Sequence, residues 1–230
     1  MALAVSVVVI ALNEAETIAA CLDHVTSLIQ ADGPAELIVS DGGSSDGTAE
    51  LAGRYGLVVS APLGRAHGLN AGAARATGDV LLFLHADTRL PARALTAVRR
   101  ALADQHVVGG RFRLSFDRVT LALRLTQMWI NLRDGLLGGY TGDQAMFVRR
   151  AVFQKLSGYA PLPLMEDLDF ARRLGQSGRV VRLRESVVTS ARRWQRLGLV
   201  RTNLRMIALR WLYYVGVPPS VLAPHYHDTR

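Results

Sequence analysis

The residues best suited to chemistry stand where an apolar run ends, at His85-Ala86-Asp87-Thr88. The run before them, Val80–Leu84, shows no polar alternation, which is typical of a strand buried on both faces of a parallel sheet. In such sheets the ligand crevice lies outside the carboxyl ends of the strands. We therefore expect Asp87 at the rim of a crevice, where its carboxylate can hold a divalent cation against phosphate oxygens. The alternative is that Asp87 caps a helix entered through Thr88–Pro91.

Two other predicted strands also end in polar residues. The first, Val5–Leu12, is followed by Asn13 and Glu14. The second, Glu36–Ser40, is followed by Asp41, whose carboxylate can accept hydrogen bonds from a base or a ribose. Three polar clusters at three strand ends favour one shared binding site over coincidence.

A turn and a helix start between these strands have features of ligand-binding segments. In the turn after Asp41, glycines such as Gly43 let the backbone approach a ligand or adopt a positive φ. Asp46 has the chemistry of an N-cap for the predicted helix Asp46–Tyr55. Arg65 stands at the next helix entrance, where it can bind a phosphate jointly with the helix N-terminus, or can simply be a solvated surface charge. The surrounding segment has neither the P-loop ending nor the glycine pattern of a dinucleotide site.

Two adjacent acids, Glu166 and Asp167, lie at the start of the predicted helix Met165–Gln176. The helix dipole favours acids there for purely structural reasons. Neighbouring side chains on a helix point about 100° apart, so one can face a cleft while the other caps or pairs. A carboxylate that faces an acceptor can serve as a general base. Asp143 and Gln144 in the preceding loop add polar groups to this region.

A pair of arginines beside a tryptophan, Arg192, Arg193 and Trp194, follows the short predicted strand Ser186–Val188. Arginine offers a bidentate fork to an oxyanion, and an indole offers an apolar platform to a sugar. A basic rim with a half-buried tryptophan explains the segment equally well. Near the C-terminus, the pair His225 and His227 is more typical of a solvent-exposed tail than of a metal site.

The elements that must position these residues alternate regularly in the first half of the chain. The predicted strands are Val5–Leu12, Glu36–Ser40, Leu57–Ser60 and Val80–Leu84, and the predicted helices are Glu16–Ile29, Asp46–Tyr55, Ala66–Ala76 and Pro91–Ala103. This alternation predicts an α/β fold with an open, mostly parallel, doubly wound sheet. We expect one domain, with a nucleotide-binding half at residues 1–105 and an acceptor-side half at 106–230.

The acceptor-side half is less regular. Val107–Phe116 is predicted to be a half-exposed strand, with Arg111, Arg113 and Ser115 on its polar side. Two long helices are predicted at Val119–Leu137 and Leu199–Val215. They can lie on a membrane surface through apolar faces rimmed by arginine. Core or dimer packing is the simpler explanation for such helices, and a homodimer is one outcome of it.

Composition narrows the class of protein. The 230 residues, half of them hydrophobic, suit one domain with a substantial core. The only cysteine, Cys21, excludes an intramolecular disulfide and suits a reducing compartment, which predicts a cytoplasmic location. No apolar stretch reaches the roughly eighteen residues of a spanning helix. The first apolar run lacks a basic n-region, so it is interpreted as a core strand and not as a signal peptide.

The net charge of +8 comes almost entirely from arginine, since Lys155 is the only lysine. Nucleic-acid binding is the usual explanation of a basic protein, but the sequence shows no recognised motif or aromatic platform for it. Arginine is the better bidentate partner of phosphate and similar oxyanions. We therefore expect a small anionic ligand and no nucleic acid.

The order of these motifs resembles the family 2 glycosyltransferases of the GT-A fold, and the resemblance covers almost the whole chain. The motifs that carry it are Ala11–Glu14, Asp41–Thr48, His85–Thr88 and Met165–Asp167. The resemblance implies an inverting transfer from a UDP-sugar with a divalent metal, Mg²⁺ or Mn²⁺. It also implies a nucleotide-sugar site formed by Leu12, Asn13, Glu14, Asp41, Gly43, Arg65, Asn70, His85, Ala86 and Asp87.

Within that site, Asn13, Glu14 and Asp41 correspond to the uridine pocket. His85-Ala86-Asp87 stands where the family has its Asp-x-Asp motif, so Asp87 corresponds to the metal ligand while His85 replaces the first acid. Glu166 and Asp167 correspond to the acidic pair that supplies the catalytic base, with Asp167 the better match.

Further segments are similar to one small subgroup, the radical-SAM/selenodomain-associated glycosyltransferases, often labelled arsenosugar-biosynthesis enzymes, which include selenosugar synthases. These segments are Gly64–Ala66, Asn70–Ala73, Leu81–Pro91, Gly142–Gln144, Pro163–Asp167 and Ser190–Trp194. The similarity implies selenophosphate as a soluble acceptor and a 1-selenosugar as product. The residues expected to bind this acceptor are Asp143, Gln144, Arg173, Arg192, Arg193 and Trp194.

Alternatives remain open at this point. If the protein is a glycosyltransferase, its acceptor can instead be an arsenosugar precursor, a hydroxyl compound or a polyprenyl phosphate. A nucleotidyltransferase also sets acids at strand ends to hold metal. A non-catalytic nucleotide- or nucleic-acid-binding protein is the alternative of another class, although a binder of polyanions gains nothing from acids in its cleft.

Overall fold

The computed structural model of the chain describes residues 3–137 and 139–226, without the side chains of 134–137. His227 lies outside the described residues. The strands are β1 Val5–Ala11, β2 Ala35–Asp41, β3 Leu57–Ser60, β4 Val80–His85, β5 Thr88–Arg89, β6 Val107–Phe116, β7 Phe147–Arg149 and β8 Arg179–Thr189. The helices are α1 Ala15–Asp32, α2 Thr48–Ala52, α3 Arg65–Arg75, α4 Ala94–Ala101, α5 Leu121–Leu137, α6 Arg150–Lys155, α7 Glu166–Ser177, α8 Arg192–Leu197, α9 Leu199–Tyr214 and α10 Pro219–Leu222.

The strands form one mixed sheet in the order β3-β2-β1-β4-β7-β6-β8-β5. The first four strands are parallel, with β1 between β2 and β4. β7 is antiparallel to both of its neighbours, β4 and β6, whereas β6 and β8 are again parallel. The predicted α/β fold with an open, mostly parallel sheet is confirmed. The three-residue strand β7 was not predicted, because it is too short to show a periodic pattern.

Alternate residues of the central strands belong to two separate cores. In β1 the odd-numbered residues from Val5 to Ala11 pack against α1 and α4, while Val8 and Ile10 pack against α3 and α7. β4 divides in the same way, with Leu82 on one face and Phe83 on the other. Burying one such side chain stabilises the fold by about 1.5–3 kcal/mol. This part of the sheet is therefore a rigid support for the polar residues at the carboxyl ends of its strands.

Strand β6 matches the predicted bounds, but its half-exposed pattern is wrong at Arg111. That residue is only 5% exposed, and its guanidinium lies 4.3 Å above the ring of Tyr140. The π face of the ring partly replaces the water that the charge has lost. Arg113 is exposed, as predicted.

The helix entrance predicted at Thr88–Pro91 is also wrong. Thr88 and Arg89 form β5, which pairs with Thr189 and Val188 of β8, and α4 begins only at Ala94. Asp87 therefore does not cap a helix. It lies in the tight connection between β4 and β5, which places its carboxylate in the crevice at the carboxyl end of β4.

The two long helices were expected to pack in a core or a dimer, and the described chain leaves much of their apolar surface exposed. On α5, Leu121 and Met128 are exposed, and on α9 so are Leu204 and Trp211. Among the described helices, none combines the length and the apolar content needed to cross a bilayer.

Candidate active site

A cavity of about 470 Å³ lies where the carboxyl end of β4 meets the starts of α3, α7 and α8. The sequence-predicted residues that line it are Arg65, His85, Asp87, Asp143, Asp167, Arg192, Arg193 and Trp194. Helices α5 and α9 complete its wall with apolar residues, among them Leu125, Trp129, Ile130, Met206 and Ile207, and with the polar residues Thr126, Arg133, Asn203 and Arg210. The predicted residues outside its lining are Leu12, Asn13, Glu14, Asp41, Gly43, Asn70, Ala86, Gln144, Glu166 and Arg173. The cavity thus joins a polar end, built by both halves of the chain, to an apolar end.

Arg192 connects the polar ends of two strands. Its guanidinium binds both carboxylate oxygens of Glu14, one of them at 2.9 Å. It also lies 3.3 Å from Oδ2 of Asp87. This arrangement holds the acid that follows β1 and the acid that follows β4 against one cation, so Arg192 neutralises negative charge at the crevice as well as lining the cavity.

The residues around Asp87 fit a metal ion that arrives with a phosphate ligand. Across the part of the chain that the structure describes, no three His, Cys, Asp or Glu side chains converge into a metal cage. Asp87 and His85 both line the cavity, and Mg²⁺ is usually bound by one or two carboxylates together with substrate phosphates and water. Carboxylate and water ligands suit Mn²⁺ as well as Mg²⁺.

The loops after β1 and β2 are braced against each other. Oδ2 of Asp41 accepts the backbone N–H groups of Gly43 and Ser44, at 3.0 and 2.9 Å. Oδ1 of Asn13 accepts the backbone N–H of Ser45 at 3.0 Å. These bonds fix two of the predicted uridine-binding side chains at adjacent strand ends, beside the crevice but outside the cavity lining.

The predicted N-cap role of Asp46 is wrong. Gly47 precedes α2, and no side chain caps that helix. The Asp46 carboxylate instead accepts the backbone N–H groups of Thr48 and of Ala15, the first residue of α1. Asp46 therefore ties the starts of α1 and α2 together, which helps to hold the loop that carries Glu14.

The acid pair at the start of α7 divides between two environments. Asp167 lines the cavity, and its Oδ2 accepts the backbone N–H of Gly142 at 3.1 Å. Glu166 is 3% exposed and pairs with Arg65, Nε to Oε1 at 2.7 Å and Nη2 to Oε2 at 3.3 Å. Although burial alone would lower the pKa of Arg65, the Glu166 carboxylate raises it well above its ordinary value. Glu166 thus positions Arg65, and Asp167 is the carboxylate that a ligand can reach.

We expect Arg65→Ala to destabilise the fold strongly, because it leaves the Glu166 carboxylate buried without its partner. Breaking a buried ion pair in this way costs on the order of 3 kcal/mol of unfolding free energy. Urea unfolding followed by circular dichroism measures the loss. The double variant Arg65→Met with Glu166→Leu removes both charges and should recover most of the stability. Equal losses in the single and double variants would show that the ion pair is not the cause.

Three of the predicted binding residues make structural contacts. The side-chain amide of Asn70 bonds twice to the backbone of Tyr159, at 2.8 and 2.9 Å. Gln144 is fully buried and belongs to a reciprocal cap with Thr141. Arg173 pairs with Asp169 at 2.7 Å and also donates to a backbone carbonyl. These residues support the loops around the cavity and do not line it.

The structure adds Tyr226, which sequence reasoning missed. Its ring lies between two guanidinium groups, 5.2 Å from Arg65 and 4.8 Å from Arg193, and its hydroxyl accepts from Nη1 of Arg65 at 3.1 Å. Tyr226 lies in an irregular segment that carries no periodic signal. Trp194 lines the cavity and packs edge-on against Phe116, with ring centroids 4.7 Å apart.

Comparison with known proteins gives a consistent picture. The sequence profile of the glycosyl transferase family 2 matches residues 6–156. Glycosyltransferase AglE of Haloferax volcanii is 35% identical over 91 residues, which is 36% of this chain and 30% of the relative. The chain therefore spans less than a third of the length of this curated relative.

Solved structures share the fold. The mannosyltransferase PcManGT from Pyrobaculum calidifontis, in complex with GDP-Man and Mn²⁺, has a TM-score of 0.68 at 20% identity, covering 98% of this chain and 65% of its own. Staphylococcus aureus TarS 1-349 with UDP-GlcNAc has a TM-score of 0.61 at 19% identity, covering 81% and 58%. Glucosyl-3-phosphoglycerate synthase from Mycobacterium tuberculosis, in complex with Mn²⁺, UDP and its glucosyl product, has a TM-score of 0.64 at 22% identity, covering 94% and 81%.

Proposed function

Because the chain belongs to the glycosyl transferase family 2, we propose that it transfers a sugar from a UDP-sugar to a small acceptor, with inversion at the anomeric carbon. The observation that carries the proposal is the single cavity that brings Asp87 and Asp167 together from the two halves of the chain. One carboxylate lies where a diphosphate and its cation can bind, and the other lies where an acceptor can approach. A protein that only bound polyanions would gain nothing from these two acids.

The part of the cavity around His85 and Asp87, called the donor end below, supports recognition of a charged diphosphate. Asp87 and His85 would hold a divalent cation, Mg²⁺ or Mn²⁺. When bound, the cation offsets the charge that builds on the leaving diphosphate, which is worth several kcal/mol of transition-state stabilisation in comparable sites. The braced loops of Asn13 and Asp41 stand beside it as the proposed uridine site. Arg192 keeps the neighbouring carboxylates of Glu14 and Asp87 from repelling the diphosphate.

The part of the cavity around Asp167 and Arg193, called the acceptor end below, supports general-base chemistry. The backbone N–H of Gly142 fixes the Asp167 carboxylate in the cavity, and a fixed carboxylate can take the proton of an attacking hydroxyl. The backbone N–H of Leu168 donates to Oδ1 at 2.8 Å, so both oxygens have a defined orientation. No other carboxylate of α7 lines the cavity in the part of the chain that the structure describes.

A donor and acceptor screen by mass spectrometry tests the function. Purified protein is incubated with UDP-sugars, Mn²⁺ or Mg²⁺ and candidate acceptors, and we expect UDP together with a glycosylated product. Release of pyrophosphate from a nucleoside triphosphate would instead identify a nucleotidyltransferase. Tight UDP binding without turnover of any donor, not even hydrolysis, would favour a non-catalytic nucleotide-binding protein.

For the acceptor we propose selenophosphate, on the subgroup resemblance and on the arginine at the acceptor end of the cavity. Selenophosphate is a small anion, ionised near neutral pH and soft enough to attack an anomeric carbon without a base. Arg193 lines the cavity with its guanidinium against Tyr226, where it can bind the phosphate oxygens. Attack by selenium would form the selenium–carbon bond, break the bond to the UDP oxygen and, after hydrolytic loss of phosphate from selenium, leave a 1-selenosugar.

Arg193→Ala should raise the KM for selenophosphate by about tenfold or more, since one charge-assisted contact is worth roughly 1.5–3 kcal/mol. Arg172→Ala is the matched control, because this arginine is exposed on α7 outside the cavity. Initial rates at varied selenophosphate measure the effect. If both variants keep the wild-type KM, Arg193 does not bind selenophosphate. If no selenium–carbon product forms, selenophosphate is not the acceptor.

The apolar end of the cavity favours a second candidate, a hydroxyl acceptor that carries an apolar group. A small anion gains little from contact with the apolar side chains of Leu125, Trp129, Ile130, Met206 and Ile207, whereas an apolar group would be buried by them. The two acceptors differ in their need for a base. Asp167→Asn should impair transfer to a hydroxyl far more than transfer to selenophosphate, and a comparison of the two rates in one variant distinguishes them.

A further inference from the structure

Helices α5 and α9 carry most of the large apolar side chains that the described chain exposes. Apart from Leu57, Leu63 and Val188, every large exposed apolar residue lies within 119–132 or 200–221. Monomeric soluble proteins rarely expose contiguous apolar patches of this kind unless the patch binds something. We call the exposed apolar residues of these two segments the α5/α9 face.

The exposed residues follow helical periodicity on each helix. At about 100° per residue, Leu121, Leu125, Met128, Trp129 and Leu132 fall within a sector of about 100° on α5. On α9, the corresponding residues Val200, Leu204, Trp211, Leu212 and Tyr214 fall within a wider sector of about 160°. Each helix thus has an apolar side and a polar side, as in amphipathic helices that bury one side against an apolar phase.

Along the two segments that carry the α5/α9 face the charge is of one sign, and the acids Asp117 and Asp134 flank the first of them. Residues 118–133 and 186–227 contain no Asp or Glu. Apart from the cavity-lining Arg192 and Arg193, the arginines of these two segments that lie at least partly at the surface on or next to α5, α8 and α9 are Arg118, Arg124, Arg133, Arg196, Arg201 and Arg205. An apolar helical face with arginines around it and few acids is complementary to an anionic lipid surface, since the apolar side chains enter the acyl boundary while the guanidinium groups meet phosphates.

The two helices are held side by side. Nδ2 of Asn203 on α9 donates to Oγ1 of Thr126 on α5 at 2.9 Å. Both helices also line the cavity, and Leu125 and Trp129 of the face are part of its wall. The face therefore borders the apolar end of the catalytic cavity, so a surface on which it rests would lie next to that end.

We propose that the α5/α9 face docks the protein peripherally on a membrane that contains anionic lipid. A second copy of the chain fits the face less well. A two-fold contact would bring the arginines of both copies together, and residues 118–133 and 186–227 supply no acid to neutralise them. A nucleic acid would complement the arginines and leave the leucine and tryptophan side chains in water.

Vesicle co-sedimentation tests the proposal with the whole protein and no substrate, so its failure is distinct from failure of the proposed activity. Vesicles of phosphatidylcholine with added phosphatidylglycerol should bind the protein about tenfold or more tightly than vesicles of phosphatidylcholine alone, with binding that weakens as salt is added. The double variant Leu204→Glu with Trp211→Glu should reduce binding by about tenfold or more. Neither residue lines the catalytic cavity, so transfer to a soluble acceptor should stay unchanged.

Leu57→Glu is the matched control, because it places the same charge at an exposed leucine on β3, far along the sheet from the face. It should bind vesicles as the wild type does. Tryptophan emission should shift to the blue on binding, and Trp211→Phe should reduce that shift. Absence of vesicle binding, or equal binding to both vesicle types, would overturn the proposal. A solution dimer that dissociates in the double variant would show that the occupant is a second copy instead.

Discussion

Asp167→Asn is expected to lower kcat with a hydroxyl acceptor by about two to four powers of ten, the usual worth of general-base catalysis. Asparagine has nearly the same shape, and its side-chain oxygen can still accept from the backbone N–H of Gly142, so the loop should keep its place. The variant loses the ability to take a proton from the acceptor, together with one of the two backbone N–H bonds that the Asp167 carboxylate accepts. Because no proton is removed before attack by an ionised selenium nucleophile, the same variant should lose much less activity with selenophosphate.

The control for this result is Asp169→Asn on the same helix. Asp169 pairs with Arg173 and does not line the cavity, so its replacement should lower Tm at most and leave kcat unchanged. Steady-state kinetics of both variants at saturating donor provide the measurement. A rate for Asp167→Asn near that of the wild type with an alcohol acceptor would remove Asp167 from the role of base.

Asp87→Ala should abolish detectable turnover while the protein remains folded. Arg192 keeps its bonds to both oxygens of Glu14 after the substitution, and Asp87 contributes no apolar side chain to the core, so Tm should change little. The missing carboxylate would weaken the hold on a cation at the diphosphate, and several kcal/mol of transition-state stabilisation depend on that cation.

Two measurements separate this effect from simple damage to the site. Calorimetric titration of UDP should show tighter binding in the presence of Mn²⁺ for the wild type, and Asp87→Ala should lose that difference while still binding UDP alone. Excess EDTA should inactivate the wild type, and added Mn²⁺ or Mg²⁺ should restore it. Full activity of the variant, or full activity in EDTA, would disprove the metal role.

The sequence predicts the first half of the fold, residues 1–105, well. Its strands are buried on both faces, and its helices alternate with them. The runs that became β1 and β4 are continuous and apolar, and their ends locate Glu14 and Asp87 at one edge of the sheet. Strand β7 was not predictable, since three residues carry no period and its place between β4 and β6 depends on pairing over a long sequence separation.

The partners of the charged residues were not predictable for the same reason. Arg192 and Glu14 are separated by 178 positions, and Arg65 and Glu166 by 101. Residue type alone could not tell whether Arg192 meets a ligand or an acid of the chain itself. Local spacing did predict that Glu166 and Asp167 point in different directions, and tertiary contacts decided which of them faces the cavity.

The ring of Tyr226, which contacts the guanidinium groups of Arg65 and Arg193, affects which ligands can bind beside these two arginines. Each of these cation–π contacts is worth about 0.5–2 kcal/mol, so a ligand that displaced the ring from either guanidinium would have to replace that energy. An anion recovers that energy through its own charge-assisted bonds, whereas a neutral water molecule recovers little of it. The Tyr226 ring is therefore expected to favour an anionic ligand over water beside these two arginines, by charge and not by size.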